Sequence, residues 1–341
     1  MDSLSQLVLG SAIGVAVMGR RTAVWKAALW GGVAGTLPDL DALVDFGDPV
    51  SNMVQHRAQT HGLFYLTLFA PFMAWCVSRL HQQPALFKRW WLALWLALFT
   101  HPVLDYFTIY GTQLMQPFSS HPFGLGSMFI VDPLYTLPLL LGLVVALIAK
   151  PPTGLRWNAV ALAFSCLYLG WSVTAQQMVK SVVRDDLAAR GIPYSQFLVT
   201  PAPLNTVLWR VVVMRTNGYE EGFYSLLDGE RRIQWDSFPQ DDALRHELKD
   251  NPHVERLAAF THGFFKIQMQ GDRAVFTDLR MGQEPSYVFS FEVAQRTAAA
   301  ENTSSRLETV QPVAAGDRGD PSRLLVWLWP RMLGQPLPPP R

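Results

Sequence analysis

Apolar residues cluster in six runs in the first half of the chain, at about 4–19, 22–37, 62–80, 90–109, 128–149 and 157–176. From 62 onward the runs have the roughly 20-residue length that crosses a hydrocarbon core; the first two are nearer 15 and either cross or dip in as a hairpin. The pattern predicts a polytopic α-helical membrane bundle of four to six spans, with six the better count. Beyond 176 the period changes. Residues 177–190 continue a helix with added charge, and Gly191-Ile192-Pro193 ends it. Segments 206–215, 222–227, 260–270, 273–279 and 287–293 then alternate apolar and polar residues, with Gly271-Asp272 as a tight turn and an acidic helix near 240–250. These predict a soluble α+β domain with a mostly antiparallel sheet. Residues 295–322 have linker composition, 324–330 are a short Trp-containing segment and 335–340 a Pro-rich spacer. The expected domains are therefore 1–176, 177–294 and 295–341.

Charge sharpens the division at 176. The chain holds 28 Lys+Arg against 27 Asp+Glu, so bulk charge points to neither nucleic acid nor an acidic partner. Residues 1–176 carry nine basic residues and seven carboxylates, all Asp, whereas 177–341 carry nineteen and twenty. The basic residues of the first half sit between runs one and two (Arg20, Arg21, Lys26), three and four (Arg79, Lys88, Arg89) and five and six (Lys150, Arg156). The alternate connections, 38–61 and 110–127, contain only Arg57. Because Lys and Arg near span ends stay on the cytoplasmic side, the termini and these two connections are expected outside, which in a bacterial inner membrane is the periplasm. The opening Met-Asp-Ser-Leu-Ser-Gln lacks a basic segment, so the first run reads as a retained helix. Cys76 and Cys166 both lie in apolar stretches, which leaves no disulfide framework and no thiolate metal site.

The candidate chemistry lies toward the outer side. Run two ends in Leu37-Pro38-Asp39-Leu40-Asp41, the next connection holds His56-Arg57-Ala58-Gln59-Thr60-His61, and run four carries His101-Pro102-Val103-Leu104-Asp105. Four-residue spacing puts His101 and Asp105 on one helical face, where ionisable groups are costly in lipid and mark a site. Imidazole and carboxylate suit a divalent ion: zinc first, manganese or iron as alternatives. Such an ion would activate water for attack on an ester or phosphoester. A serine nucleophile is disfavoured, since no Gly-x-Ser-x-Gly elbow occurs. The rival expectation is a non-enzymatic membrane protein with a structural metal or a transport path. His121, in the outer connection, is on the side of the site but reads as a surface loop residue, and His81, on the basic side, as a solvated one.

Asp2-x-x-Ser5-Gln6 with Leu9-Gly10, then Leu37 to Asp41, His56 to His61, and His101 to Asp105 followed by Tyr110-Gly111-Thr112, together resemble the YdjM-type inner-membrane, metal-dependent hydrolases over about residues 1–150. The later half resembles the tail of a longer subgroup through Asp278-Leu279-Arg280 and the aromatic run 287–291. The resemblance implies metal ligation by Asp39, His61, His101 and Asp105, with His56 and Asp41 as further ligands or their partners and as candidates for general base. Arg57 would steady an anionic substrate. The implied partners are the lipid bilayer and a lipid-linked or phosphoester substrate. Gln6 stands where many members have His, and Gly62 where Ser is common.

Overall fold

The computed structural model describes residues 1–297, 306–317 and 319–341. Seven helices come first: α1 (Ser3–Met18), α2 (Val24–Thr36), α3 (Pro49–Gln55), α4 (Leu63–Leu80), α5 (Phe87–Tyr106), α6 (Pro133–Ile148) and α7 (Thr153–Arg190). Their ends follow from local chemistry. Asp2 caps α1 by accepting from the Ser5 N–H, and Gly19, at φ 54°, lets the chain leave it. Pro38 opens a 3-10 turn, Leu37–Leu43, that stops α2, and Asp132 with Pro133 starts α6.

These caps trim the apolar runs, and the expected four to six spans are not all matched by helices of spanning length. Among the described residues two helices, α4 and α7, are long and apolar enough to cross a membrane. At 1.5 Å per residue the 16 residues of α1 or of α6 reach about 24 Å, against a core of roughly 30 Å. The 20-residue α5 has the length but carries Lys88, Arg89, His101 and Asp105.

The chain divides into two units. The first comprises residues 1–44, 55–174 and 203–205. Its core is built by Trp90, Leu94 and Leu98 of α5 with Met18, Tyr135 and Leu139, all buried. Helices α1 and α2 cross backbone to backbone on glycines: a Cβ at Gly10 would collide with the Gly31 carbonyl oxygen, and one at Gly14 with that of Ala27. Small residues at four-residue spacing are what such close crossings require.

The second unit holds 45–54, 175–202 and 206–341. Strands β1 (Gln196–Pro201), β2 (Leu208–Arg215), β3 (Gly218–Ser225) and β4 (Gln234–Pro239) form one antiparallel sheet in that order. Helices α8 (Asp242–Glu247) and α9 (Pro252–Phe260) follow, then β5 (Phe265–Gln270), β6 (Arg273–Asp278), the small hairpin β7 (Gly282–Gln283) and β8 (Ser286–Tyr287), then β9 (Ser290–Arg296) and β10 (Leu307–Ala314). The second sheet runs β10-β9-β6-β5, also antiparallel. Strand β2 is buried on both faces. Val211 and Val213 meet Val179, Val183 and Leu187 of α7, whereas Val212 and Met214 meet Phe264, Leu279 and Tyr287.

Part of the expected linker is ordered. Residues 307–314 pair with β9 because Leu307 and its neighbours supply a free strand edge with backbone partners; the expectation for 298–305 and 318 lies outside the described residues. Helix α10 (Pro321–Met332) settles on this unit rather than standing apart, with Trp327 buried against Phe223 at 4.9 Å between ring centres and Trp329 exposed. Strands β1 and β4 escape the sequence pattern because neither alternates cleanly between buried and exposed positions.

Candidate metal centre

Three short backbone features of the first unit deliver the site. The 3-10 turn after α2 presents Asp39 and Asp41, a second one at Gln59–His61 presents His61, and the last turns of α5 present His101 and Asp105. Gly35 is the point where α1, α2 and α5 meet. Its carbonyl accepts from His101 Nδ1 at 2.6 Å, while Gln6 of α1 donates to the His101 carbonyl at 3.1 Å.

Asp39, His61, His101 and Asp105 each offer a donor atom, and these four atoms lie within 4.8 Å of one another. His61 Nε2 and His101 Nε2 are 3.1 Å apart. Asp39 Oδ1 is 3.4 Å from each of them, and Asp105 Oδ2 is 3.3 Å from His61 and 3.4 Å from His101. Five of the six separations are thus 3.1–3.4 Å, close to the edge of a tetrahedron whose centre is about 2.0 Å from each donor, the length of a zinc–nitrogen or zinc–oxygen bond. The group can therefore hold a metal ion, and among the described residues no other such group of three or more forms.

Hydrogen bonding sets the direction of each donor. A carbonyl only accepts, so His101 Nδ1 carries the proton toward Gly35 and its Nε2 lone pair faces the cluster. Thr60 Oγ1 donates to Asp41 Oδ2 at 2.6 Å and lies 2.9 Å from His61 Nδ1. Asp105 Oδ1 takes Gln6 Nε2 at 3.1 Å, Arg57 at 3.5 Å and the amino group of Met1. Its Oδ2 is buried without a hydrogen-bond partner and points at the two imidazoles. Three of the four side chains are fully buried and Asp39 is 17% exposed, so the cluster opens on the Asp39 side.

The charge states fit a cation at this place. Burial disfavours ionised Asp39, but the imidazoles of His101 and His61, each 3.4 Å from its Oδ1, outweigh it and hold the carboxyl below the usual carboxylate range. Burial likewise opposes ionised Asp41, and His56, His61 and Thr60 overcome it. Burial by itself would lower the pKa of His61; the carboxylates of Asp105, Asp39 and Asp41, 3.3–3.5 Å from its ring nitrogens, instead push it up to about 9. In the absence of metal a proton on His61 thus supplies the positive charge among these three aspartates.

Asp41, His56 and Arg57 stand behind the four donors. Asp41 accepts from His56 Nδ1 at 2.8 Å and from the Arg57 backbone N–H at 3.0 Å, and its side chain is 3% exposed against 25% for His56. The Arg57 guanidinium lies over Tyr110 at 4.8 Å, donates to Thr108 at 3.2 Å, and keeps a buried Nε with no hydrogen-bond partner. Arg57 also holds φ 64°, a conformation that non-glycine residues seldom adopt without a functional or packing reason. His121 is exposed beside Phe123 and is outside the cluster. His81 accepts from the Trp30 indole at 2.7 Å. His253 and His262 belong to the second unit.

The residues without a role in the sequence reading are Gln6, Gly35, Thr60 and Thr108. Thr60 had a local signal, since it directly precedes His61. Gln6 and Gly35 act through packing distant in sequence, and Thr108 through a helix end, none of which leaves a spacing to read.

A family model described as YdjM inner membrane protein matches residues 1–179. The uncharacterized protein YfhP of Bacillus subtilis (strain 168) is 23% identical over 305 residues, covering 85% of this chain and 89% of the relative. No solved structure matches the chain.

Proposed function

The chain belongs to the YdjM inner membrane protein family, and from that premise we propose that it is a membrane-bound, metal-dependent hydrolase acting on an ester or phosphoester of a lipid or envelope substrate. One observation carries the reading. Two imidazole Nε2 atoms face each other at 3.1 Å between two carboxylate oxygens, an arrangement that repels itself unless a cation sits among them. Asp39, His61, His101 and Asp105 would hold the ion, and the roughly 3.3 Å spacing favours zinc over a larger ion. When bound, such an ion acidifies water and polarises an ester or phosphoryl oxygen.

The remaining roles belong to the chain. His56 donates its Nδ1 proton to Asp41, which leaves Nε2 free to take a proton from an attacking water. The buried Nε of Arg57 offers a charged donor to an anionic group, and Thr108 and Tyr110 hold the guanidinium in place. The lipid-facing surface would be supplied by α4 and α7, with the shorter apolar helices α1 and α6 as further crossings to make four spans. The distribution of Arg and Lys supports an orientation with this site and the second unit in the periplasm.

The donor count favours a second reading. Four protein ligands around one zinc match a closed, structural ion, whereas a catalytic one keeps a position for water. The partial exposure of Asp39 supports the catalytic form, with water entering from that side. The deciding experiment is metal analysis of detergent-purified protein beside His101→Ala and Asp105→Asn, with phosphodiester and carboxylic ester substrates assayed on the same samples. Near-stoichiometric metal in the wild type, lost in both variants together with hydrolysis, is expected. Metal without hydrolysis of any substrate supports the structural ion, and equal metal in all three proteins ends both readings.

A further inference from the structure

His61 and His101 contribute equivalent nitrogens to the cluster but are held from behind in different ways. His101 leans on the backbone carbonyl of Gly35 at 2.6 Å. His61 has no carbonyl in that position. Its Nδ1 lies 2.9 Å from the Thr60 hydroxyl, which lies 2.6 Å from Asp41 Oδ2. Asp41 Oδ2 also accepts the Arg57 N–H at 3.0 Å, and Oδ1 takes His56 Nδ1 at 2.8 Å.

The direction of each bond in this chain is forced. An ionised carboxylate has no proton to give, so the Thr60 O–H must donate to Asp41. The hydroxyl has then spent its one proton, and toward His61 it can only accept. The proton of neutral His61 must therefore sit on Nδ1, and the lone pair must sit on Nε2, facing His101, Asp39 and Asp105. Reversing any member would leave two donors or two lone pairs face to face.

We infer that Thr60 is a positioning residue of the metal centre: with Asp41 it forms a hydroxyl–carboxylate relay that fixes the tautomer and ring orientation of His61. The inference rests on the metal reading above and adds a residue to it. A carboxylate acting through a hydroxyl raises the basicity of the imidazole and so tightens its hold on a cation. Asp41 thereby serves two histidines at once, His56 directly and His61 both through Thr60 and across 3.5 Å from its own Oδ2. Thr60 is itself exposed, so exchanging it does not open the core.

The test compares the zinc dissociation constant of wild type, Thr60→Val and Thr60→Ser by competition with a chromophoric chelator, using the full-length protein in detergent. Helicity and the thermal midpoint of the metal-free proteins establish that each is folded. Loss of the hydroxyl is expected to weaken zinc binding about 10–100-fold, the usual effect of removing a group behind a metal-bound histidine. Serine, which keeps the hydroxyl, restores affinity to within about threefold of wild type. Asp41→Asn provides the second arm: the double variant Thr60→Val/Asp41→Asn is expected to bind no more weakly than the worse single variant, because both cut one relay. Wild-type affinity in Thr60→Val overturns the inference, as does equal weakening by serine and valine or full additivity in the double variant. A wild type that binds no zinc overturns the metal reading and this inference together.

Discussion

At the scale of the residue, the site is a problem of charge placed where water is scarce. Asp105 is fully buried, and its two oxygens divide the work: Oδ1 is held by Gln6, Arg57 and Met1, and Oδ2 is left for the cluster. His61, with its pKa pushed up to about 9, keeps a proton at neutral pH when no metal is bound. Metal must displace that proton, so zinc affinity should fall as pH is lowered, by roughly tenfold per unit below about 9. Chelator competition at several pH values between 6 and 8 measures this slope, and a flat profile would show that His61 is not among the ligands. The stability of the metal-free protein should move the opposite way. A histidine whose folded pKa exceeds its unfolded value contributes stability below the unfolded value near 6.5, and that contribution disappears as pH rises through about 9. Thermal midpoints at pH 7 and pH 9.5, read with and without zinc, should therefore differ most in the metal-free protein.

At the scale of the element, precision comes from glycine crossings rather than from long side chains. Gly31 and Gly35 of α2 lie directly against Gly10 and Gln6 of α1, and Gly35 in turn supplies the carbonyl for His101. Gly31→Ala should destabilise the protein by about 1–3 kcal/mol, because the new methyl meets the Gly10 backbone and neither helix can give way without shifting the site. Gly170→Ala in α7 is the contrasting case. Nothing lies within 4 Å of the added atom, and the expected result is unchanged or about 1 kcal/mol higher stability from helix propensity. Thermal midpoints of the two variants in the same detergent separate packing from propensity.

At the scale of the whole chain, the weakly charged half contains the donor cluster and the strongly charged half contains both sheets. Segment 45–54 joins the second unit, with Arg256 donating to Ser51 at 2.9 Å, although Asp41 and His56 on either side of it belong to the first. The proposed orientation gives a direct expectation. In a protein with Cys76 and Cys166 replaced by alanine, a membrane-impermeant thiol reagent applied to intact spheroplasts should label Ser119→Cys, in the outer connection. Gln82→Cys, between α4 and α5, should be labelled only after lysis. The reverse pattern would place the site on the cytoplasmic side and remove the argument for a periplasmic substrate.

Much of this was determined by the sequence alone. The helix carried on to Gly191, the Gly271-Asp272 turn and the four residues able to hold a metal ion were readable from hydrophobic period, turn chemistry and residue type. Tertiary structure decided the rest. Strand β10 is recognisable by its partner β9 more than by its own composition, since an edge is stabilised by hydrogen bonds to a neighbour. Gln6 and Gly35 enter the site through a helix crossing. Such roles depend on which atoms face each other across the fold, and a residue's neighbours in the chain do not contain that information.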